Sequence, residues 1–529
     1  MRRLPVLFVL LGLSSLARGE DDPQQVFDAW NKLQALGCKI VGFQAETVRD
    51  ARRTPIYSSG FRPLIMVFPT KANNADLQVQ LPLAAKLPNL RGLDLSRCAI
   101  SNDGLKPLDK IPDLEVLYLD GTAVSDEGMK SVANCRKLRW LDISDTRVSD
   151  VGLIHLAALT ELRNLYVRRN SKIADPAKDP ARITDTGLAS LAGLPMLREL
   201  DLGGTAVTLT EVRGLRGLKS LRRLNLDRSA VLDTGLKALA DIPRLERLSL
   251  VDSSISGIGF KELAGLASLR DLELTDARIT DEGAAGIGAL KQIRKLDVSN
   301  SVPLPEDATK PTKVQLTDAG LAKLGGCEGL TILNVSRTRV NGDGLGGLIE
   351  LKNLIELHLE HTPVKEQKLG GLRALKGLQV LNLARTSTSG EGLFFLSELR
   401  DLQALNLEGT KIADAGLAQV VLATSLTDLN LRNSGILLAS GKNLKELTNL
   451  TRIDLSATKI SDPAMKQLSE MRSLQLVLVT DRAISATGIR FLQKALPTCR
   501  VLSVQPPKEP MKTPVGAPFI KPTRVPIFD

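Results

Sequence analysis

Apolar positions recur along this chain with a 24-residue period. Aligned on the phrase LxxLxL, the first apolar residue of each unit falls at 90, 114, 138, 162, 197, 221, 245, 269, 293, 330, 354, 378, 402, 426, 450 and 474. In "LEVLYLDGTAVSDEGMKSVANCRK", Leu114, Leu117 and Leu119 stand at offsets 0, 3 and 5, and the last two share one side of an extended strand. Val124 at offset 10 turns inward again, and Met129 at offset 15 opens a segment whose apolar residues return at helical spacing. Ahead of it, Ser or Thr and then Asp offer caps for free N–H groups, and a Gly serves the turn. The pattern predicts one strand and one short helix per unit. Such a unit is too small to bury its own apolar face, so stability requires stacking.

Offset 8 is held by small residues with a hydrogen-bonding side chain, among them Thr122, Thr146, Thr205, Ser229, Thr338, Thr362, Thr410 and Thr458. Backbone groups buried where the strand turns into coil need such partners. Ala277 and Arg482 depart from the rule. On these residues the chain resembles the leucine-rich repeat family from Leu90 to about Val504. Phrases such as "TAVSDEGM", "TRVSDVGL" and "ARITDEGA" resemble the bacterial 24-residue variety related to the cysteine-containing subtype, as in planctomycete-like exported proteins. Thr or Ser stands where the commoner repeats carry Asn. The resemblance implies an α/β, right-handed solenoid, a horseshoe or arc of about 16 repeats plus caps. A parallel sheet would line its concave side and short helices its convex side. It also implies binding of protein partners rather than an enzyme.

The two long intervals, 35 and 37 residues, mark insertions near 171–181 ("SKIADPAKDPA") and 302–314 ("VPLPEDATKPTKV"). Both follow the strand at the same point of the unit and leave the register intact on either side, so both should emerge along one edge of the sheet. Residues 1–19 combine Arg2 and Arg3, an apolar run from Leu4 to Leu16, and small residues at Ala17 and Gly19, as a secretory leader does. That leader is either cleaved before Glu20 or retained as an anchor. Residues 20–89, an amphipathic helix and two strands, would cap the array of 90–504. Residues 505–529 hold seven prolines and read as an extended tail.

Composition agrees with stacked aliphatic layers: 43% of residues are hydrophobic but only 3% aromatic. The five cysteines, Cys38, Cys98, Cys135, Cys327 and Cys499, contain no CxxC pair and read as small buried hydrophobes. Offsets 2, 4, 6 and 7, taken as the concave face and its rim, carry 18 acidic and 11 basic side chains, although the whole chain is +11. That sign argues against nucleic acid in the concave groove. The basic excess lies elsewhere, which leaves an envelope association open. No later segment reaches the length of a transmembrane helix.

Two clusters stand out. Tyr118, Trp140 and Tyr166 fall on three consecutive strands, in a chain with three Tyr and two Trp. With Asp142, Asp145, Arg168 and Arg169 they have the composition of a partner-binding hot spot. The alternative is that the rings lie flat over their neighbours. In "ELHLEH", Glu356, His358, Glu360 and His361 form a weak metal candidate, because alternate strand residues sit nearly 7 Å apart. No HExxH, phosphate-binding glycine loop or GxSxG phrase occurs, so neither catalysis nor a cofactor is expected. The expected function is non-catalytic: an exported protein that takes a protein or peptide ligand on its concave face. A structural envelope scaffold is the alternative, and a metal-binding or enzymatic protein the remote one.

Overall fold

The computed structural model describes residues 23–42, 64–169, 183–210, 215–301, 316–438, 444–480 and 483–504. The leader, the two insertions, the proline-rich tail and Arg482 lie outside the described residues. The chain divides into two compact units, Met1–Ser254 with Gly265–Leu269, and Ile255–Ala264 with Arg270–Asp529. Each is an open leucine-rich repeat solenoid.

In the first unit, helix α1 (Pro23–Ala35) leads to β1 (Lys39–Gly42), which pairs antiparallel with β2 (Leu64–Val67). Helix α2 (Asn74–Ala84) follows. From β2 onward every pairing is parallel, through β3 (Leu90–Asp94), β4 (Val116–Tyr118), β5 (Trp140–Asp142), β6 (Asn164–Tyr166), β7 (Glu199–Asp201), β8 (Arg223–Asn225) and β9 (Arg247–Ser249). Strand β2 of the expected cap therefore joins the parallel ladder ahead of Leu90, with Met66 lying opposite Leu93. In the second unit β10 (Asp271–Glu273) to β19 (Arg500–Val504) stack in parallel and in sequence order. The segments behind the strands alternate between short α-helices, such as Asp126–Val132, and 3₁₀ turns, such as Leu215–Gly217.

The predicted core positions are buried. Leu114, Leu117, Leu119, Val124 and Met129 are shielded from solvent, as are the residues at offsets 0, 3 and 5 of the later units. The five cysteines are buried free thiols among the same side chains, and burial pushes Cys135 and Cys327 up to about 12. Polar offsets are satisfied in a fixed pattern. At offset 8 the hydroxyl donates to the carbonyl three residues back, as Thr122 Oγ1 to Leu119 O at 2.7 Å and Thr410 Oγ1 to Leu407 O at 2.6 Å. At offset 4, the Asp or Asn ladder accepts from the backbone N–H two residues on: Asp94 from Ser96, Asn225 from Asp227, Asn406 from Glu408. That ladder shapes the exit from each strand.

The phrase Ser/Thr-Asp-x-Gly works differently from the sequence reading. The Ser or Thr does cap its helix in places, as Ser149 accepts from Val151 N and Thr317 from Ala319 N. The Asp instead reaches into the next unit. Asp126 accepts both the N–H (2.7 Å) and the hydroxyl (2.7 Å) of Ser149. Asp185 does the same for Thr208, Asp462 for Ser485, and Glu366 for Ser389. Burial alone would raise the Glu366 carboxyl, but bonds from Ser389, Gly392 and Gly390 outweigh it and hold the group low. The staples also span both insertions: Asp150 holds Thr184 (2.8 and 2.6 Å), and Asp281 holds Thr317 (2.8 and 2.6 Å).

The glycine of the phrase is explained by the same contact rather than by a turn. A Cβ on Gly152 would stand 2.5 Å from Asp126 Oδ1, on Gly488 2.6 Å from Asp462 Oδ1, and on Gly128 2.7 Å from Asn102 Oδ1. Only a residue without a side chain lets the neighbouring carboxylate approach its acceptor position. Gly152→Ala should cost about 1–3 kcal/mol through overpacking, whereas Gly193→Ala, which meets nothing within 4 Å, should leave stability within about 0.5 kcal/mol. Denaturant unfolding of the two variants beside the parent measures both.

Candidate functional site

The strand face of the first unit gathers the three rings. In parallel register Val116 lies opposite Trp140, Tyr118 opposite Asp142, and Asp142 opposite Tyr166. The centroids of Tyr118 and Trp140 are 6.0 Å apart with planes at 50°, and those of Trp140 and Tyr166 are 4.8 Å apart at 35°. Ile65 of β2 and Val116 of β4 complete the cluster. Gly92 makes room for it, since a Cβ there would stand 2.6 Å from Ile65 Cγ1.

The rings come together, but they are not exposed as a hot spot would require. Trp140 retains 2% of its surface and Tyr166 5%; only Tyr118 is half-buried. Strands about 4.8 Å apart are narrower than an indole is long, so each ring lies over its neighbour. The Tyr166 phenol bonds the side chains of Glu199 and Asn164, and burial followed by Glu199 raises its pKa strongly. Asp142, 1% exposed, accepts from Ser144 N at 2.9 Å and shapes the strand exit. Arg169, 8% exposed, donates Nη2 to Val148 O. These four side chains belong to the frame.

Tyr118, Asp145 and Arg168 remain at the surface. Asp145 is an exposed turn residue with φ of 54°, one of a row of left-handed residues at offset 7 that includes Arg97, Arg228, Asp252 and Arg337. Arg168 reaches across two strands toward Asp201 at 3.8 Å and Asp227 at 4.0 Å.

The four residues of "ELHLEH" do not converge. His358 Nε2 lies 3.7 Å from Glu356 on β13 (Glu356–His358). Glu360 is drawn to Arg337 at 3.1 Å, and His361 occupies the left-handed turn with φ of 56°. Burial, with Arg337 and Arg385 nearby, lowers the His361 pKa. Among the described residues no three His, Cys, Asp or Glu side chains are placed to hold one metal ion.

One feature of this face went unread in the sequence. Offset 1, where the chain enters each strand, holds Arg91, Glu115, Arg139, Arg163, Arg198, Arg222 and Glu246 in the first unit. In the second unit the same offset holds Arg270 and Arg294, and from Thr331 through Ile355, Gln379, Gln403, Thr427, Thr451 and Gln475 it is uncharged. The signal in the sequence is the recurrence of arginine at offset 1, outside the four offsets taken as the face and rim.

A family model for the leucine-rich repeat matches residues 86–108, 134–157 and 265–288. The 24-residue period and the parallel ladders carry the same pattern through the rest of the array. The chain is a leucine-rich repeat protein. Among solved structures it is similar to a Leptospira interrogans LRR protein, at 21% identity over 79% of this chain and 91% of that one, with a TM-score of 0.51. It is also similar to the TLR13–ssRNA13 complex, at 19% identity over 76% of this chain and 55% of that one, TM-score 0.53. An internalin from Listeria monocytogenes aligns at 22% identity over 66% and 83% of the two chains, TM-score 0.42. No curated protein sequence matches the chain. The likenesses to the Leptospira protein and TLR13 show the fold.

Trp140→Ala should destabilise the protein by about 3–5 kcal/mol as a buried aromatic truncation, and Tyr118→Ala by about 1 kcal/mol or less. Urea unfolding separates the two, and equal small losses would contradict the buried ring stack.

Proposed function

We propose that this protein is a non-catalytic, exported binding module that takes a protein or peptide partner on the strand face of its first unit, at Tyr118, Asp145 and Arg168. Leucine-rich repeat proteins generally mediate protein–protein interaction and are typically non-enzymatic scaffolds. The observation that carries the reading is where the aromatic side chains go. Three of the chain's five Tyr and Trp residues sit in one stack on the strand face, outside the aliphatic interior that every other unit relies on. Trp140 and Tyr166 give the stack a rigid floor, and Tyr118, level with Asp94 and Asp142 on the adjoining strands, presents an aromatic edge. Preordered aromatic surface is what interface hot spots use.

Export rests on the basic, apolar and small-residue order of residues 1–19. Among the described residues no helix is long and apolar enough to cross a membrane. In the same reading residues 20–89 cap the array, whereas a tether made by 505–529 belongs to the scaffold alternative.

Affinity capture from the native exported fraction tests the site. Tyr118→Ala combined with Arg168→Ala should reduce recovery of the partner at least tenfold, about 1.4 kcal/mol or more, with little change in melting temperature. Phe394→Ala, an exposed ring in the second unit, should leave recovery unchanged. Equal recovery by all three proteins would refute the site. Retention of the whole protein in the envelope at high salt, with no partner recovered, would favour the scaffold instead.

A further inference from the structure

The arginine column at offset 1 is built by the fold and only partly neutralised by it. Its backbones are joined in order: Arg163 N donates to Arg139 O at 2.9 Å, Arg198 N to Arg163 O at 2.7 Å, and Arg222 N to Arg198 O at 2.8 Å. The ends of the column are paired with acids. Glu115 lies between Arg91 (3.6 Å) and Arg139 (2.9 Å), Arg139 also reaches Glu161 at 3.4 Å, and Arg222 pairs with Glu246. The middle is different: among the described residues no carboxylate forms an ion pair with Arg163 or Arg198. Two residues before Arg198 stands exposed Met196, and in the following unit Ser220, where the earlier units hold Asp113, Lys137 and Glu161.

Two arginines thus stand side by side on adjoining chain segments, about 4.8 Å apart at the backbone. Like charges held opposite one another in a sheet are destabilising. The pKa of half-buried Arg163 is lowered first by burial and then by Arg139 and Arg198, with Glu161 and Glu115 opposing. An anion bridging the two forks would relieve that repulsion. Carboxylates suit guanidinium geometry through paired N–H bonds.

We propose that Arg163 and Arg198 form a carboxylate-binding subsite for an acidic, extended segment of a partner protein, running along the entry edge of the strands. The proposal rests on the strand-face reading above and names the chemistry of the partner. Charge complementarity selects a peptide rather than a nucleic acid. The subsite is short and flanked by Glu115, Glu161, Glu199 and Asp201, which would oppose a continuous phosphate backbone but leave room for separate side-chain carboxylates.

Fluorescence anisotropy with labelled octaglutamate on the full exported chain tests it, with an eight-residue Ser-Gly peptide and an oligothymidylate as comparison probes. Octaglutamate should bind, more weakly as salt rises. R163Q/R198Q should weaken binding at least tenfold, and R163K/R198K should restore part of the loss. R373Q/R490Q removes the same charge from two exposed sites elsewhere and should bind like the parent. Absence of octaglutamate binding, equal losses in the two charge-matched variants, or tighter binding of oligothymidylate through the same pair would each overturn the subsite. Tyr118→Ala should keep octaglutamate binding, so a failed capture experiment with intact octaglutamate binding overturns only the strand-face reading.

Discussion

A carboxylate at the head of one unit accepting the N–H and hydroxyl of the next is the interaction on which the array depends. A unit of 24 residues cannot enclose its leucines, so its stability is set by how it meets its neighbour. Aliphatic contacts hold neighbours together without direction, whereas the Asp126–Ser149 staple fixes both distance and register. Because it ties a side chain of one unit to the backbone and hydroxyl of the next, each new strand starts level with the last. The same staple at Asp150–Thr184 and Asp281–Thr317 carries register across the two insertions. Added length can therefore leave the array there without displacing a strand.

Fixed register turns sequence offsets into surface columns. A residue type repeated at one offset becomes a ladder, and a departure from it becomes a local feature. The Asp and Asn of offset 4 shape the strand exits. Tyr118 and Tyr166 depart from that ladder, and with Trp140 they form a single ring stack in place of polar caps. In the first unit the arginines of offset 1, from Arg91 to Arg222, form a column interrupted by Glu115. Function is argued from these departures, because the regular positions are occupied with holding neighbours together.

Much of this was legible in the sequence. The period, the strand and helix of each unit, the buried leucines and the neutral reading of the cysteines follow from hydrophobic spacing and small-residue offsets, which act within one unit. The unread parts involve two units at once. Gly152 resembles a turn glycine until Asp126 of the preceding unit is seen to occupy its side-chain space. Trp140 at offset 2 leaves two readings open, exposed or flat over its neighbours, and only the packing decides for the second, with the ring against Val116 and Tyr166. Arg163 and Arg198 are 35 residues apart across an insertion, and only the parallel register makes them neighbours.

The account's central claim is that the strand face of the first unit, around Tyr118, meets the partner. Photocrosslinking measures this most directly, with a benzophenone amino acid in place of Tyr118 or Phe394 and irradiation in the native exported fraction. The account predicts one discrete adduct from position 118 and none from position 394. An adduct from position 394 with none from 118 would contradict it.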